Sequence, residues 1–409
     1  MRSGPLVLVE PFAHRLGGHH QRTLCTLAAT RPGSVVIAPY GVPAEARAEL
    51  AQAGARVCGP SGPAARVLSG VANAVAVTAA VGRRVFASRR WPTVLRRAPH
   101  QVTLLARCLT EAACLRTARR IAPEPAAVVV LSASEALHGA AALLGGQPHL
   151  RFVHEAVTTE DTAVRLIGRL ARRGERRVLA LYPTAVVRDQ AAPAFPGLPG
   201  VVRAFAVDDG NRITDTERTA ARTATGLTAD DTAVCLVGGW WPYKDLDTVD
   251  AALALLDGPL HVFVAGDPVD AAVLHRWRGL PQVTVHHTPG TASETRLRAV
   301  YAACDASLVA RRTGVGKESG LVMGAVRHGV PLLVSAHDPQ LSARLSRQAW
   351  ARLFTAEDPA ALADALRALT RQPLPRPGAD AAAAVGMAPA ADQTAFLIHA
   401  YAELPAKES

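Results

Sequence analysis

Short apolar runs recur along the chain, separated by longer stretches in which apolar positions return every three or four residues. The runs Leu6 to Val9, Ser34 to Ile37, Val128 to Leu131, Leu150 to Val153, Val178 to Leu181 and Val201 to Ala204 read as strands buried on both faces, and the stretches between them as helices. The rhythm resumes at Val234, His261, Val283, Ala306 and Pro331. Alternating strands and helices in both halves predict an α/β protein of two Rossmann-like, doubly wound parallel sheets, with ligand held at the carboxyl ends of the strands. Between about Ser61 and Arg120 the pattern is helical and basic without a strand, which marks it as acceptor-specific structure. Val207-Asp208-Asp209-Gly210-Asn211 reads as a boundary, giving domains over 1–207 and 208–389. A chain of 409 residues is long for one core and suits two domains of about 200 residues each.

The most informative stretch is VCLVGGWWPYKDLD, Val234 to Asp247. A β-branched run ends at Gly238-Gly239, a helix is expected from about Leu246, and Lys244 adds a mobile positive charge beside the exposed amides of the turn. That combination suits a diphosphate. A second such corner lies in KESGLVMGAVRHGVPLLVS, Lys317 to Ser335, where Ser319-Gly320 opens an apolar helix and His328-Gly329 closes it before the next buried strand. Two helix N-termini facing one cleft would grip both phosphates of a nucleotide sugar.

At these residues the chain resembles the retaining GT-B glycosyltransferases of the group-1 type, in the variant carrying P-Y-K-G-L-D and S-G-(V/L)-L. Pro242-Tyr243-Lys244-Asp245-Leu246-Asp247 matches the first motif with Asp245 in place of glycine, and Ser319-Gly320-Leu321-Val322 with Gly329-Val330-Pro331 matches the second. Between them, His261 to Pro268 looks like the family's central strand and glycine turn, and Ala299 to Ala310 like its helix-then-strand lead-in. The resemblance implies two domains facing across a cleft, with the final segment, 390–409, crossing back to the first. It assigns the donor diphosphate to Gly239, Lys244, Ser319, Gly320 and Leu321. It puts His154, the terminal residue of a strand that faces the cleft, beside Lys244 in the catalytic set, and Gly18, His19 and His20 on the acceptor side.

Departures from the family pattern are as informative. The Glu-x7-Glu pair of most members falls on Gly316 and Gly324, leaving Glu318 as the nearest carboxylate; the arginine that accompanies the lysine falls on Gly239 or Trp241, leaving Arg311, Arg312 and Lys317 nearby. Asp208-Asp209 and Asp230-Asp231 do not follow an apolar strand as a metal-diphosphate ligand would, so no metal and no cofactor is expected. The resemblance implies transfer of a sugar from a nucleotide-diphosphate donor to a hydroxyl of a natural product, pseudo-sugar, glycan or lipid-linked acceptor. A nucleotide-sugar epimerase or hydrolase on the same scaffold, or a noncatalytic partner, are the alternatives. Each residue also has a plainer reading: Ser319 as a helix cap, His154 as a core histidine, Trp240 and Trp241 as packing between domains.

Composition sharpens little. The net charge of +11 is concentrated in the first half, in pairs such as Arg83-Arg84, Arg96-Arg97 and Arg172-Arg173. It fits solvated helix faces or peripheral contact with an anionic membrane; without stacking aromatics, zinc spacing or a helix-turn-helix pattern it does not fit nucleic acid. Six scattered cysteines without C-x-x-C spacing suggest reduced thiols, and the first apolar run is too short for a signal peptide, so a cytoplasmic protein is expected. Val67 to Val81 comes nearest to a membrane span but is interrupted by Ser69, Asn73 and Thr78.

Overall fold

A computed structural model describes residues 4–15, 18–86, 88, 90–132, 136–155, 162–290, 292–314 and 319–404. The described residues form two compact units: one takes in the first strand, His20–Val207 and the last helix, the other Asp208–Pro389 together with Gly18 and His19.

The first unit is built on seven parallel strands, β1 (Leu6–Val9), β2 (Val35–Ile37), β3 (Arg56–Cys58), β4 (Ala127–Val130), β5 (His149–Phe152), β6 (Val178–Tyr182) and β7 (Gly200–Val202), in the order β3-β2-β1-β4-β5-β6-β7. β1 and β4 are fully buried along their whole length, as unbroken β-branched and leucine runs predict for a sheet covered on both faces. The register places Leu6 to Val9 opposite Ala127 to Val130. β3 has only three residues, begins with an exposed Arg56 and sits at the sheet edge, so it has no apolar run to announce it. Helix Ala390–Ala402 packs on this unit, adding Leu397, Ile398, Ala400 and Tyr401 to its core, and the Gln147 side-chain amide donates to the Tyr401 hydroxyl at 2.8 Å.

Between β3 and β4 the strandless basic stretch is an antiparallel pair of long helices, Pro63–Val85 and Thr93–Ile121. The second carries Glu111, whose carboxylate meets the Arg151 guanidinium of β5 at 2.8 Å with both side chains buried. Among the described residues one helix, Pro63–Val85, is long and apolar enough to cross a membrane. Ser69, Asn73 and Thr78 lie within it, uncharged among valines and alanines.

After the two-residue strand β8 (Val207–Asp208), the second unit contains β9 (Ala233–Val237), β10 (Leu260–Ala265), β11 (Val283–Thr288), β12 (Ala306–Val309), β13 (Leu332–Ser335) and β14 (Ala351–Phe354), all parallel, in the order β11-β10-β9-β12-β13-β14. β14 escapes sequence reading because Arg352 breaks its apolar run. Each of the helices that follow these six strands starts on a side-chain cap: Asp245, Asp270, Ser293, Ser319, Asp338 and Asp358. Four are carboxylates; Ser293 and Ser319 are neutral. Both sheets reverse winding direction between two central strands, β1 and β4 in one and β9 and β12 in the other, and a crevice at the carboxyl ends of such strands is where open α/β sheets hold ligands.

Candidate functional site

In the second unit β9 ends in a turn at Gly238, whose φ of +78° lies in the left-handed region. A Cβ added there would stand 3.3 Å from the Lys244 ammonium and 3.4 Å from the Leu321 side chain. The β9 turn, Lys244 and the first turn of helix Gly320–Arg327 therefore meet around one glycine. Gly239 is required for a different reason: a Cβ on it would lie 2.3 Å from the Asp267 carbonyl oxygen, so the turn is pressed against the loop after β10.

Lys244 is placed by backbone pairing. Lys244 and Arg311 form an antiparallel bridge, Asp245 donates its amide to Ala310 at 3.2 Å, and Arg312 donates its amide to Tyr243 at 3.1 Å. The loop after β9 is thus stitched to the end of β12. The Lys244 ammonium donates to the carbonyls of Val237 and Gly238 at 2.8 and 2.9 Å, so the mobile surface cation expected from the sequence is instead half-buried and anchored. Burial, and then the neighbouring charge of Arg311, push its pKa from 10.5 down to about 7. Arg311 is itself buried, with its guanidinium carbon 5.4 Å from the Tyr243 ring centroid and its amide donating to Ser335 Oγ at 2.9 Å. A half-buried ammonium close to a buried guanidinium is an arrangement that an anion stabilises.

Ser319, also buried, caps helix Gly320–Arg327 by accepting from the Val322 amide at 3.4 Å. Gly329 at φ +72° closes the helix, and the Val330 amide reaches back to the Ala325 carbonyl at 2.9 Å, the bond pattern of a Schellman ending. First-turn amides of a helix have no intrahelical acceptor, and a neutral cap leaves their positive end unopposed. The other helix start differs from expectation. Helix Leu246–Ala254 is capped by the buried carboxylate of Asp245, which accepts from the Thr248 amide, so a built-in anion already meets that N-terminus. This is also what the aspartate gains where the motif has glycine.

Arg312 is tied down elsewhere. Its guanidinium donates to Asp247 Oδ2 at 2.7 Å and to the Pro242 carbonyl at 3.3 Å, and it lies 4.0 Å from Asp245, so its charge answers the carboxylates that begin helix Leu246–Ala254. Arg311, adjacent in sequence, is the cation that stands beside Lys244. Glu318 lies outside the described residues, as does Lys317. Trp240 packs on Trp277, ring centroids 5.3 Å apart, within the unit's core, whereas Trp241 is exposed. Asp208, Asp209 and Asp231 accept from the amides of their own turns, and among the described residues no group of three or more His, Cys, Asp or Glu could hold a metal ion.

In the first unit the carboxyl ends of the strands carry a second cluster. His154 follows β5, with its ring 5.0 Å from that of His20 and 4.7 Å from Phe205, and its Nε2 lies 2.9 Å from the Leu131 carbonyl oxygen. A carbonyl only accepts, so Nε2 carries the proton. Gly18 and His19 open helix Gly18–Ala29, the His19 side chain lying outside the described residues. His20, next in the helix, is in ring contact with His154. Sequence reading passed over Glu10, at the end of β1, because a carboxylate after an apolar strand has no distinguishing pattern. It is fully buried and accepts from Ser132 Oγ at 2.8 Å and the Phe12 amide at 3.0 Å.

Burial raises the Glu10 pKa from 4.5 to about 7, against the lowering effect of those two hydrogen bonds. The folded chain therefore holds a proton that the unfolded chain releases between those values. Stability from this group is fully present below about pH 4.5 and is lost as pH rises through 7, by roughly 3 kcal/mol. Glu10→Gln is expected to flatten that decline, measured by urea unfolding across the range; an unchanged slope would reassign it to other groups.

No protein-family model matches the chain, and no curated protein matches it in sequence. Solved structures do match. HepE of Anabaena, in complex with UDP and glucose, superposes with a TM-score of 0.59 at 13% identity, over 97% of this chain and 95% of that one. A glycosyltransferase from Rickettsia africae gives 0.56 at 10% identity over 98% and 94%, and sucrose-phosphate synthase from Thermosynechococcus elongatus 0.54 at 14% over 97% and 94%. At such identities the likeness is one of fold, and it spans both units: the chain has the fold of the GT-B glycosyltransferases.

Proposed function

We propose that the chain is a retaining, metal-independent glycosyltransferase that moves a sugar from a nucleotide-diphosphate donor to a hydroxyl acceptor. The observation that carries this reading is the meeting of Lys244, Arg311, the Gly238 turn and the first turn of helix Gly320–Arg327 where the second sheet reverses winding. A nucleoside diphosphate supplies the two phosphates such a corner suits, and the UDP and UDP-glucose bound to HepE make uridine nucleotides the first to try.

In the proposed reaction the acceptor oxygen forms its bond to the anomeric carbon on the face from which the diphosphate departs. The bond between that carbon and the phosphate oxygen breaks, and the hydroxyl proton passes to a leaving diphosphate oxygen. Configuration is kept and no side-chain nucleophile is needed. Lys244 and Arg311 answer the charge that gathers on the leaving group, and the amides of Gly320 and Leu321 add the helix's positive end. His154 and His20 are assigned to the acceptor.

Thermal denaturation with UDP, GDP and dTDP tests the donor half: at least one is expected to raise Tm, through its binding to the folded state alone. Three flat traces would remove the donor site. Release of nucleotide with and without added acceptor then separates transfer from hydrolysis or epimerisation, which need no acceptor.

A further inference from the structure

Helix Pro63–Val85 has a buried seam of small residues, Ala65, Ala72 and Ala79, one every seven positions, packed on helix Thr93–Ile121. Its other side faces solvent and is mostly apolar, with Asn73 and Thr78 among its exposed positions. Val67, Val71, Val77, Val81 and Val85 are 66%, 46%, 64%, 55% and 49% exposed. They run along about 27 Å of helix at 1.5 Å per residue, and no charged residue falls between Arg66 and Arg83. Valine is a poor helix former, so five exposed valines cost helix stability with only partial burial in return. The first turn of the next helix prolongs the apolar character with Val94, 74% exposed.

The charge around this face has one sign. From Leu50 to Thr110 there are nine arginines and no aspartate or glutamate. Arg66 marks one end of the valine face, Arg83 and Arg84 the other, and Arg96 and Arg97 follow in the next helix; all five are exposed. Uncharged partners would not call for this arrangement, and a polyanion would not call for the valines. An anionic bilayer calls for both, because arginines reach lipid phosphates while the apolar side enters the boundary beneath them.

The helix does not serve as a span. The chain leaves the first sheet after β3 and returns to it at β4, so a crossing would need a second one to come back. The returning helix carries Arg96, Arg97, Arg107, Arg116, Arg119 and Arg120, too many charges for hydrocarbon. Its seam with helix Pro63–Val85 is also polar at one point, where Arg83 donates to Thr103 Oγ1 at 2.7 Å.

We propose that the valine face of helix Pro63–Val85 and the arginines at its ends form a docking surface for an anionic lipid bilayer, on which the helix lies parallel to the membrane plane. The surface belongs to the first unit and its test needs no nucleotide, so it stands or falls apart from the donor reading.

The full chain is floated with vesicles of phosphatidylcholine mixed with phosphatidylglycerol, and with phosphatidylcholine alone. The wild type is expected to float with the anionic vesicles and to bind the neutral ones much more weakly. Val71→Asp with Val77→Asp should lower the bound fraction about tenfold or more, and Arg83→Glu with Arg84→Glu should remove the preference for anionic lipid. Because these side chains are exposed, an unchanged thermal transition shows that the variants fold. Failure of the wild type to float, or full binding by the aspartate variant, would overturn the proposal. So would a wild-type dimer that the aspartate variant converts to monomer without lipid, which would make the valine face a contact between two copies.

Discussion

Replacing Lys244 with alanine is expected to lower sugar transfer about 10²–10³-fold, the effect of removing one preorganised donor from a developing oxyanion. The loss should fall on kcat as well as on donor affinity, since the charge on the diphosphate is greatest as the glycosidic bond breaks. Lys244→Arg should restore little. The half-buried ammonium is held at 2.8 and 2.9 Å from two carbonyls close to Arg311, and a planar guanidinium needs a different space. The depressed pKa adds a signature that packing alone would not give. At pH 8 a lysine with a pKa of about 7 is mostly neutral, and an arriving diphosphate favours its charged form. Binding of UDP should then take up close to one proton, visible as a calorimetric enthalpy that varies with the ionisation enthalpy of the buffer. Affinity should rise as pH falls through 7 and level off below it. If Lys244→Met binds UDP with the same proton uptake, the proton goes elsewhere and Lys244 is only structural.

The second large effect concerns folding. Glu111→Ala is expected to destabilise the first unit by about 3–5 kcal/mol, because it leaves the Arg151 guanidinium in the core without the carboxylate 2.8 Å away. Chemical denaturation should show the unit's transition moved to much lower denaturant. Pairing Glu111→Leu with Arg151→Met should recover most of the loss, since an apolar pair of similar volume avoids desolvating two charges. A double variant as weak as the single one would mean that the pair orders neighbouring groups as well as each other.

Both sheets were legible because their central strands are unbroken apolar runs, and β1, β4, β9 and β12 fall where those runs are. β3 and β14 were hidden by a short edge position and an internal arginine. Lys244, Ser319 and the Gly238 turn could be read from local motifs, because each follows directly from a strand end or a helix start. The choice between Arg311 and Arg312 could not. The two are adjacent, and which one stands beside Lys244 depends on the bridge that joins the β9 loop to β12, a pairing across 67 positions of sequence. Glu10 was hidden for the same reason, its partner Ser132 lying 122 positions away.

The chain enters the second unit at Asp208 and leaves it at Pro389, so the first unit is assembled from both ends of the polypeptide. A gene cut at the first junction would yield an N-terminal fragment stripped of Leu397, Ile398 and Tyr401, with bare leucine and valine side chains where the last helix belongs. The inner segment carries its own hydrophobic centre. If the donor is held there as proposed, its preference would be exchanged by replacing an insert, with the two outer pieces of the host left in place to fold around each other.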